Sequence, residues 1–292
     1  MPPTLSRRQT LRLLGAASAA GLLPGCSDRQ QAHPNEIERV LVIGAGFSGL
    51  TVANALTAAG VEVEVLEARD RIGGRTFTYD FDGFPVDLGG AWIHGPIANP
   101  VACFARQNNI GWQRAEVIDA GIGAFDPHHG FLSDADLVRS IALVQSDFED
   151  SIADLRAALG PNANLRDGVS LYLDRAKLTG DPRRYADFAI RQGICELFYG
   201  GPAELLSLDA IFRDSEFAGG NQFPNGGYIR LVELLANGVN IQLGATVSSI
   251  QYDDRGVLVK AGDRTFRGSH AVVTTPLGVL RAQRIAFEPA LP

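Results

Sequence analysis

The sequence predicts an α/β fold in which a dinucleotide-binding domain of the GxGxxG type is interrupted by a mainly helical insertion. Three observations predict it. The β-branched run Val40-Leu41-Val42-Ile43 leads directly into Gly44-Ala45-Gly46-Phe47-Ser48-Gly49 and then into helical spacing. A long middle stretch repeats apolar residues at steps of three and four. Short apolar runs rich in Val and Ile then return after residue 239. Strand, glycine turn and helix in that order describe a Rossmann-like unit, and the period-3.6 stretch describes what is inserted into it.

Residues 1–26 stand apart from this fold. Ser6-Arg7-Arg8-Gln9-Thr10-Leu11-Arg12 precedes the apolar stretch Leu13 to Leu23, followed by Pro24-Gly25-Cys26. A basic start, a short apolar run and small residues make a signal peptide, and the paired arginines resemble a twin-arginine export signal. An amphipathic N-terminal helix is the structural alternative. Leu23-Pro24-Gly25-Cys26 also resembles a lipoprotein box, with Pro24 a poor fit, which would tether the protein to a membrane through Cys26 only. Residues 27–36 are polar and read as a linker. The expected location is periplasmic or extracellular. The formal charge of -7 argues against a nucleic-acid partner. Only Cys103 and Cys195 lie beyond the leader. They are free to pair in an oxidising compartment or to remain buried thiols.

The glycine turn carries the strongest local signal. Gly44 permits a tight turn, Gly46 lets main chain approach a pyrophosphate, and Gly49 allows helix to pack on strand. The following helix, with Leu50, Ala53 and Leu56 on its face, stops at Gly60, and Val61 to Leu66 forms the next strand. Glu67 lies 18 positions after Gly49, where a carboxylate accepts hydrogen bonds from an adenosine ribose and disfavours a 2′-phosphate. The glycines alone do not separate FAD from NAD.

Glu67-Ala68-Arg69-Asp70-Arg71-Ile72-Gly73-Gly74-Arg75 resembles the signature of the flavin amine oxidase family (polyamine and monoamine oxidases), in which Arg-x-Gly-Gly-Arg follows the ribose-binding acid. The resemblance implies FAD, with Gly74 beside the cofactor and Arg75 forking onto the diphosphate. Asp87-Leu88-Gly89-Gly90-Ala91-Trp92-Ile93-His94-Gly95 is similar to the segment that passes the flavin ring in that family. Gly89, Gly90 and Ala91 would then lie against the ring. Trp92 would supply a wall, or else sit in the core as an aromatic. His94 would face the substrate channel, or else be a satisfied structural histidine. Residues Gly44 to Gly49, Glu67, Ala68, Arg69, Gly74, Arg75, Gly89 to Trp92 and Val247 are the expected FAD contacts. Val247 is expected to meet the adenine side through its backbone.

In the middle, Ser133 is placed to cap a helix with Leu137, Ile141, Val144, Phe148, Ile152, Leu155 and Leu159 on one face, ended by Gly160-Pro161. Pro182 to Leu197 reads as a second helix. The carboxylates from Asp134 to Asp154 read as a solvated face. Asn225-Gly226-Gly227-Tyr228 matches the family's turn into a helix. Val239 to Leu243, Val247 to Tyr252, Gly256 to Val259, Thr265-Phe266 and His270 to Thr275 read as strands, followed by Pro276-Leu277-Gly278 and Ile285 to Phe287. The expected organisation is therefore a first FAD-domain part at 37–115, a helical part of a substrate domain at 116–203, a second FAD-domain part at 204–284, and the start of a further substrate region at 285–292.

The resemblance implies FAD-dependent oxidation of an amine to an imine and then an aldehyde, with oxygen reduced to hydrogen peroxide. Amine and oxygen are the expected partners, no metal site is expected, and no catalytic base is assigned. An FAD-dependent desaturase or oxidase of a non-amine substrate and an inactive fragment are the competing readings. The family continues past the equivalent of Pro292 with a lysine near the flavin and a flavin-capping segment. The chain therefore reads as C-terminally truncated: a fragment, one chain of a two-chain enzyme, or a degenerate protein.

Overall fold

The computed structural model describes residues 37–115, 124–126, 130–132, 135–213 and 217–291. The leader, Cys26, the linker and the Ser133 cap lie outside these residues. The chain divides into two units, Met1–Ala115 with Ala218–Pro292, and Glu116–Phe217.

The first unit is built on a parallel sheet. Strand β1 (Arg39–Ile43) leads through the glycine turn into helix α1 (Phe47–Ala58), which returns to β2 (Glu62–Leu66). Gly60, at φ +81°, lets the chain leave α1 at a conformation other residues disfavour. A hairpin follows, β3 (Thr78–Phe81) and β4 (Phe84–Asp87), then β5 (Ile93–His94), α2 (Pro100–Gln107) and β6 (Trp112–Arg114). Asn99 caps α2 by accepting from the Val101 N–H at 2.8 Å, with Pro100 in the first turn where its missing N–H costs nothing.

The second unit begins with a small hairpin, β7 (Ala124–Asp126) and β8 (Gly130–Leu132), and continues into α3 (Ala135–Leu159), α4 (Leu165–Arg175) and α5 (Gly180–Ile190). Phe148, Ile152 and Leu155 line the buried face of α3 as the spacing predicts, with Val144 packed beside them. Leu159 instead points outward at the helix end, just before Gly160 turns the chain away at φ +82°. Helix α4 escaped sequence reading; its start carries a capping box between Asn164 and Asp167. The helix expected from Pro182 begins earlier, at Gly180, and from Arg191 to Phe198 widens into π geometry. Gln145 reaches across from α3 to donate to the Ala189 carbonyl at 2.6 Å, and Gly193 leaves room for it.

One expected boundary moves. Residues 204–217 belong with the helices, because Leu208 and Ile211 are buried against Phe148, Leu165 and Val169. Arg156 also donates to the Leu208 carbonyl from α3 at 2.9 Å. These apolar residues carry no helical period, so sequence spacing did not assign them.

The chain re-enters the first unit at β9 (Asn221–Pro224), then α6 (Ile229–Ala236) and β10 (Asn240–Gln242). Strands β11 (Val247–Asp253), β12 (Gly256–Ala261) and β13 (Arg264–Gly268) form an antiparallel meander before β14 (His270–Val273), α7 (Leu277–Arg281) and β15 (Ala286–Glu288). The parallel sheet has the order β10-β2-β1-β14, so the chain leaves β1 toward β2 and returns on its other side. Alternation along β1 divides the core: Val40 and Val42 face α1 and α6, while Leu41 and Ile43 face the meander. Residues 285–288 pack with the first unit. Ile285 is buried in the meander's core and β15 pairs in parallel with β11.

Leu50 is fully buried between α1 and the sheet. Leu50→Ala should lower the unfolding free energy by about 2–5 kcal/mol, read as a shifted urea midpoint. A loss below about 1 kcal/mol would contradict this packing.

Candidate functional site

The order of the parallel sheet reverses at β1, and the glycine turn stands at the carboxyl end of that strand, where sheets of this kind bind ligands. Gly44 adopts φ +108° and donates its N–H to the Leu66 carbonyl at 2.8 Å. A Cβ on Gly49 would lie 1.9 Å from the Gly44 carbonyl oxygen, so this glycine is required by the protein's own packing. A Cβ on Gly46 would meet nothing within 4 Å. Gly46 caps α1 with no side chain, and no acidic residue occupies the first turn. The N–H groups there have no intrahelical acceptor and carry the positive end of the helix dipole. Ser48 is exposed beside them, Ala45 is buried, and the Phe47 ring packs edge-on against Tyr228 at 5.9 Å.

Thr274 holds this turn from behind, and sequence reasoning missed it. Its hydroxyl donates to the Ile43 carbonyl at 2.9 Å and lies 2.9 and 2.8 Å from where side chains on Gly44 and Gly49 would begin. The signal was a threonine directly after a buried strand, at the end of the sheet where the glycine turn stands.

Glu67 is buried, 7% exposed, and faces the turn. One oxygen accepts the Ala45 N–H at 2.7 Å and the other the Arg69 N–H at 2.9 Å. The sequence assigned this carboxylate to a ribose; in the structure both oxygens hold main chain, and each retains a second lone pair for a hydroxyl. The Ala45 carbonyl accepts the Gly73 N–H at 2.8 Å, and Gly46 and Gly73 form a bridge. Gly73 and Gly74 have φ of +93° and +59°, and a Cβ on Gly74 would lie 3.4 Å from the Gly46 Cα. Arg69 and Arg71 both donate to the Gly74 carbonyl, at 3.2 and 3.1 Å. Ala68 and Arg75 are exposed, and the Arg75 guanidinium has no hydrogen-bond or ion-pair partner among the described residues. On the other edge, Glu67 exchanges main-chain hydrogen bonds with Gln242 and Ala245, which leads directly to Val247. The Val247 side chain is buried in the meander's core, so only its backbone is placed to face a ligand.

The segment from Asp87 has a different internal logic from the one its sequence suggested. Gly89 is small because a Cβ there would stand 2.0 Å from the Arg75 carbonyl oxygen, which also accepts the Gly90 N–H at 2.9 Å. Protein backbone, rather than a flat ring, accounts for Gly89; Gly90 and Ala91 follow it with less crowding. Asp87 caps α6 from 141 residues away, accepting the Tyr228 N–H at 3.1 Å and the Thr78 hydroxyl, while Thr78 Oγ1 accepts the Ile229 N–H at 3.0 Å. Gly227, at φ +85°, leaves the room that Thr78 fills. Burial, and then the nearby Asp87 carboxylate, push the Tyr228 hydroxyl above its ordinary pKa. Trp92 is half-buried and meets His94 and Phe223 edge-on at 5.8 and 6.0 Å. His94 is exposed, its ring Nδ1 2.8 Å from Asn221 Oδ1. Cys103 is a free, half-buried thiol rather than a buried one; the Cys195 side chain lies outside the described residues.

A profile of the flavin containing amine oxidoreductases matches residues 47–292. The chain belongs to that family. A pyridine nucleotide-disulphide oxidoreductase profile matches residues 6–84, across the glycine turn and Glu67. As a flavin-containing amine oxidoreductase the chain takes FAD as its cofactor. It is 33% identical over 287 residues to polyamine oxidase 4 of Oryza sativa subsp. japonica, covering 93% of this chain and 57% of that protein. Polyamine oxidase 3 of the same plant is 31% identical, covering 86% and 54%. Lysine-specific histone demethylase 1 homolog 1 of rice is 31% identical, covering 95% of this chain and 34% of its own length. The chain thus spans little more than half the length of these polyamine oxidases. A putrescine oxidase structure with putrescine bound shares the fold, with a TM-score of 0.62 at 22% identity over 87% of this chain and 61% of that one.

The residues of this family member fit FAD at the glycine turn. The open side of Gly46, the uncapped start of α1 and the unpaired Arg75 suit a diphosphate. The spare lone pairs of Glu67 suit a ribose. The two glycines then separate ligand binding from folding. Gly49→Ala should cost about 1–3 kcal/mol or more through overpacking. Gly46→Ala should stay within about 1 kcal/mol of the parent yet weaken FAD binding about tenfold or more, read by flavin-fluorescence titration beside urea unfolding. Equal effects of the two on folding would contradict the assignment.

Proposed function

We propose that the protein oxidises an aliphatic amine, of the polyamine or monoamine kind, at the carbon bearing nitrogen, giving an imine that hydrolyses to an aldehyde. The observation that carries this reading is the glycine turn at Gly46, clasped by Glu67, in a chain of the flavin-containing amine oxidoreductases. Bound FAD supplies the chemistry, accepting hydride from the amine's carbon and returning the electrons to oxygen as hydrogen peroxide.

This chain's residues bind and orient. The first turn of α1 and Arg75 take the diphosphate, Glu67 takes the ribose, and the backbone at Val247 takes the adenine side. Trp92 and His94 stand on the substrate side: Trp92 as an apolar wall, His94 as a hydrogen-bonding group. Likeness to polyamine oxidases and to a putrescine oxidase supports a small aliphatic amine. The rice demethylase homolog makes an N-methylated lysine side chain the natural comparison substrate. We further propose export through residues 1–26 by a twin-arginine-type signal, with Cys26 as an alternative lipid tether. Among the described residues no helix is long and apolar enough to cross a membrane.

The test is to supply FAD-loaded protein with putrescine, spermidine, spermine and an N-methyl-lysine peptide, and to follow peroxide in air and flavin bleaching without oxygen. The expected result is saturable bleaching and peroxide with at least one polyamine. Flavin-bound protein that no amine bleaches would overturn the proposal.

A further inference from the structure

The hairpin of β3 and β4 is turned inside out. Its strands pair Tyr79 with Val86 and Phe81 with Phe84, and the Leu88 N–H donates to the Phe77 carbonyl at 2.7 Å, extending the ladder by one more pair. Residues directly opposite one another in an antiparallel pair share a face. One face therefore carries Phe77, Tyr79, Phe81, Phe84, Val86 and Leu88, and the other Thr78, Asp80, Pro85 and Asp87. The polar face is the one that packs, since Thr78 and Asp87 hold the start of α6. The apolar face is left bare: Tyr79, Phe81, Phe84 and Leu88 are 50, 61, 71 and 63% exposed. An antiparallel ribbon with one wet face ordinarily turns its polar side to water. A contiguous apolar strip in its place marks a contact surface.

The strip has unlike ends. At its tip Asp82 sits in the turn at φ +50°, with no hydrogen-bond or ion-pair partner among the described residues, beside Asp80, whose carboxylate accepts the Gly83 N–H at 2.7 Å. At its base the Arg71 guanidinium lies over the Phe77 ring, 4.2 Å from the centroid. An acidic tip and a basic base complement themselves when one strip is laid on another in the opposite direction. At these exposures the strip presents roughly 500 Å² of apolar surface. Two copies face to face then remove about 1,000 Å² from water, where specific interfaces begin. The acidic tip disfavours the other flat partner, an anionic lipid surface, which attracts basic segments.

We propose that this strip is a twofold contact between two copies of the chain, with the tip of each hairpin over the base of the other. The axis then crosses the strands at the Tyr79–Val86 pair, so Val86 meets its own counterpart while Phe84 lies over Leu88 of the second copy. The contact stands apart from the flavin chemistry and does not depend on which amine is oxidised.

Sedimentation velocity of the full chain with FAD supplied, joined to crosslinking by a short thiol-to-thiol reagent, tests it. The wild type should form a concentration-dependent dimer that grows no further. Phe84→Ser should weaken that dimer about tenfold or more, as loss of an interface aromatic does, with the far-ultraviolet circular dichroism unchanged. Val86→Cys should crosslink into dimers above the wild-type background. Phe84→Cys, whose counterpart stands about 14 Å away across the axis, should not. A chain that stays monomeric at every concentration overturns the inference, whether its strip is free, covered by another segment or bound to phosphatidylglycerol vesicles. So does association that continues past two copies, a dimer that Phe84→Ser leaves as strong, or crosslinking of Phe84→Cys as readily as Val86→Cys.

Discussion

Glu67 stands at the end of β2 with one carboxylate oxygen on the Ala45 N–H and the other on the Arg69 N–H, and the Ala45 carbonyl in turn holds the N–H of Gly73. Two glycine turns far apart in character, one opening a helix and one following a strand, are thereby closed onto each other. A carboxylate accepting two main-chain amides in a buried place makes strong, directional bonds. Without them, the amides of the first turn would have neither a fixed direction nor a fixed distance from Gly74 and Arg75. The rest of the site depends on this clasp: Thr274 presses on it from behind, β10 pairs along its edge, and Val247 begins where that edge ends.

Glycine serves three purposes around the clasp, and the structure separates them. Gly44, Gly73 and Gly74 supply backbone angles that side chains disfavour. Gly49 and Gly89 make room for carbonyl oxygens of the protein itself. Gly46 has an ordinary backbone and open space before it, so neither strain nor crowding within the described residues accounts for its lack of a side chain. That distinction is what the proposed binding site rests on.

The parallel sheet was legible because buried strands and a glycine turn are local patterns, and the elements around Val40, Val65 and Val272 fall where spacing predicts. The start of α4 at Leu165 and the docking of Leu208 and Ile211 were not legible, since neither is announced by a sustained apolar period. The same holds within the site. Glu67, Gly46 and Arg75 were singled out as candidates from their neighbours in sequence. Thr274, Asp87 as the distant cap of α6, and Asn221 beside His94 required the strand register, which joins residues that sequence leaves 141 or 127 positions apart.

The most direct measurement of the central claim is FAD affinity in the wild type and in Glu67→Gln, followed by flavin fluorescence with far-ultraviolet circular dichroism as a check on folding. Glutamine keeps the size of glutamate but sets an NH₂ group against either the Ala45 or the Arg69 N–H. If the carboxylate organises the site, the variant folds and binds FAD roughly tenfold to a hundredfold more weakly, as expected for hydrogen bonds to a charged group. A folded Glu67→Gln protein that binds FAD as tightly as the wild type would contradict the account.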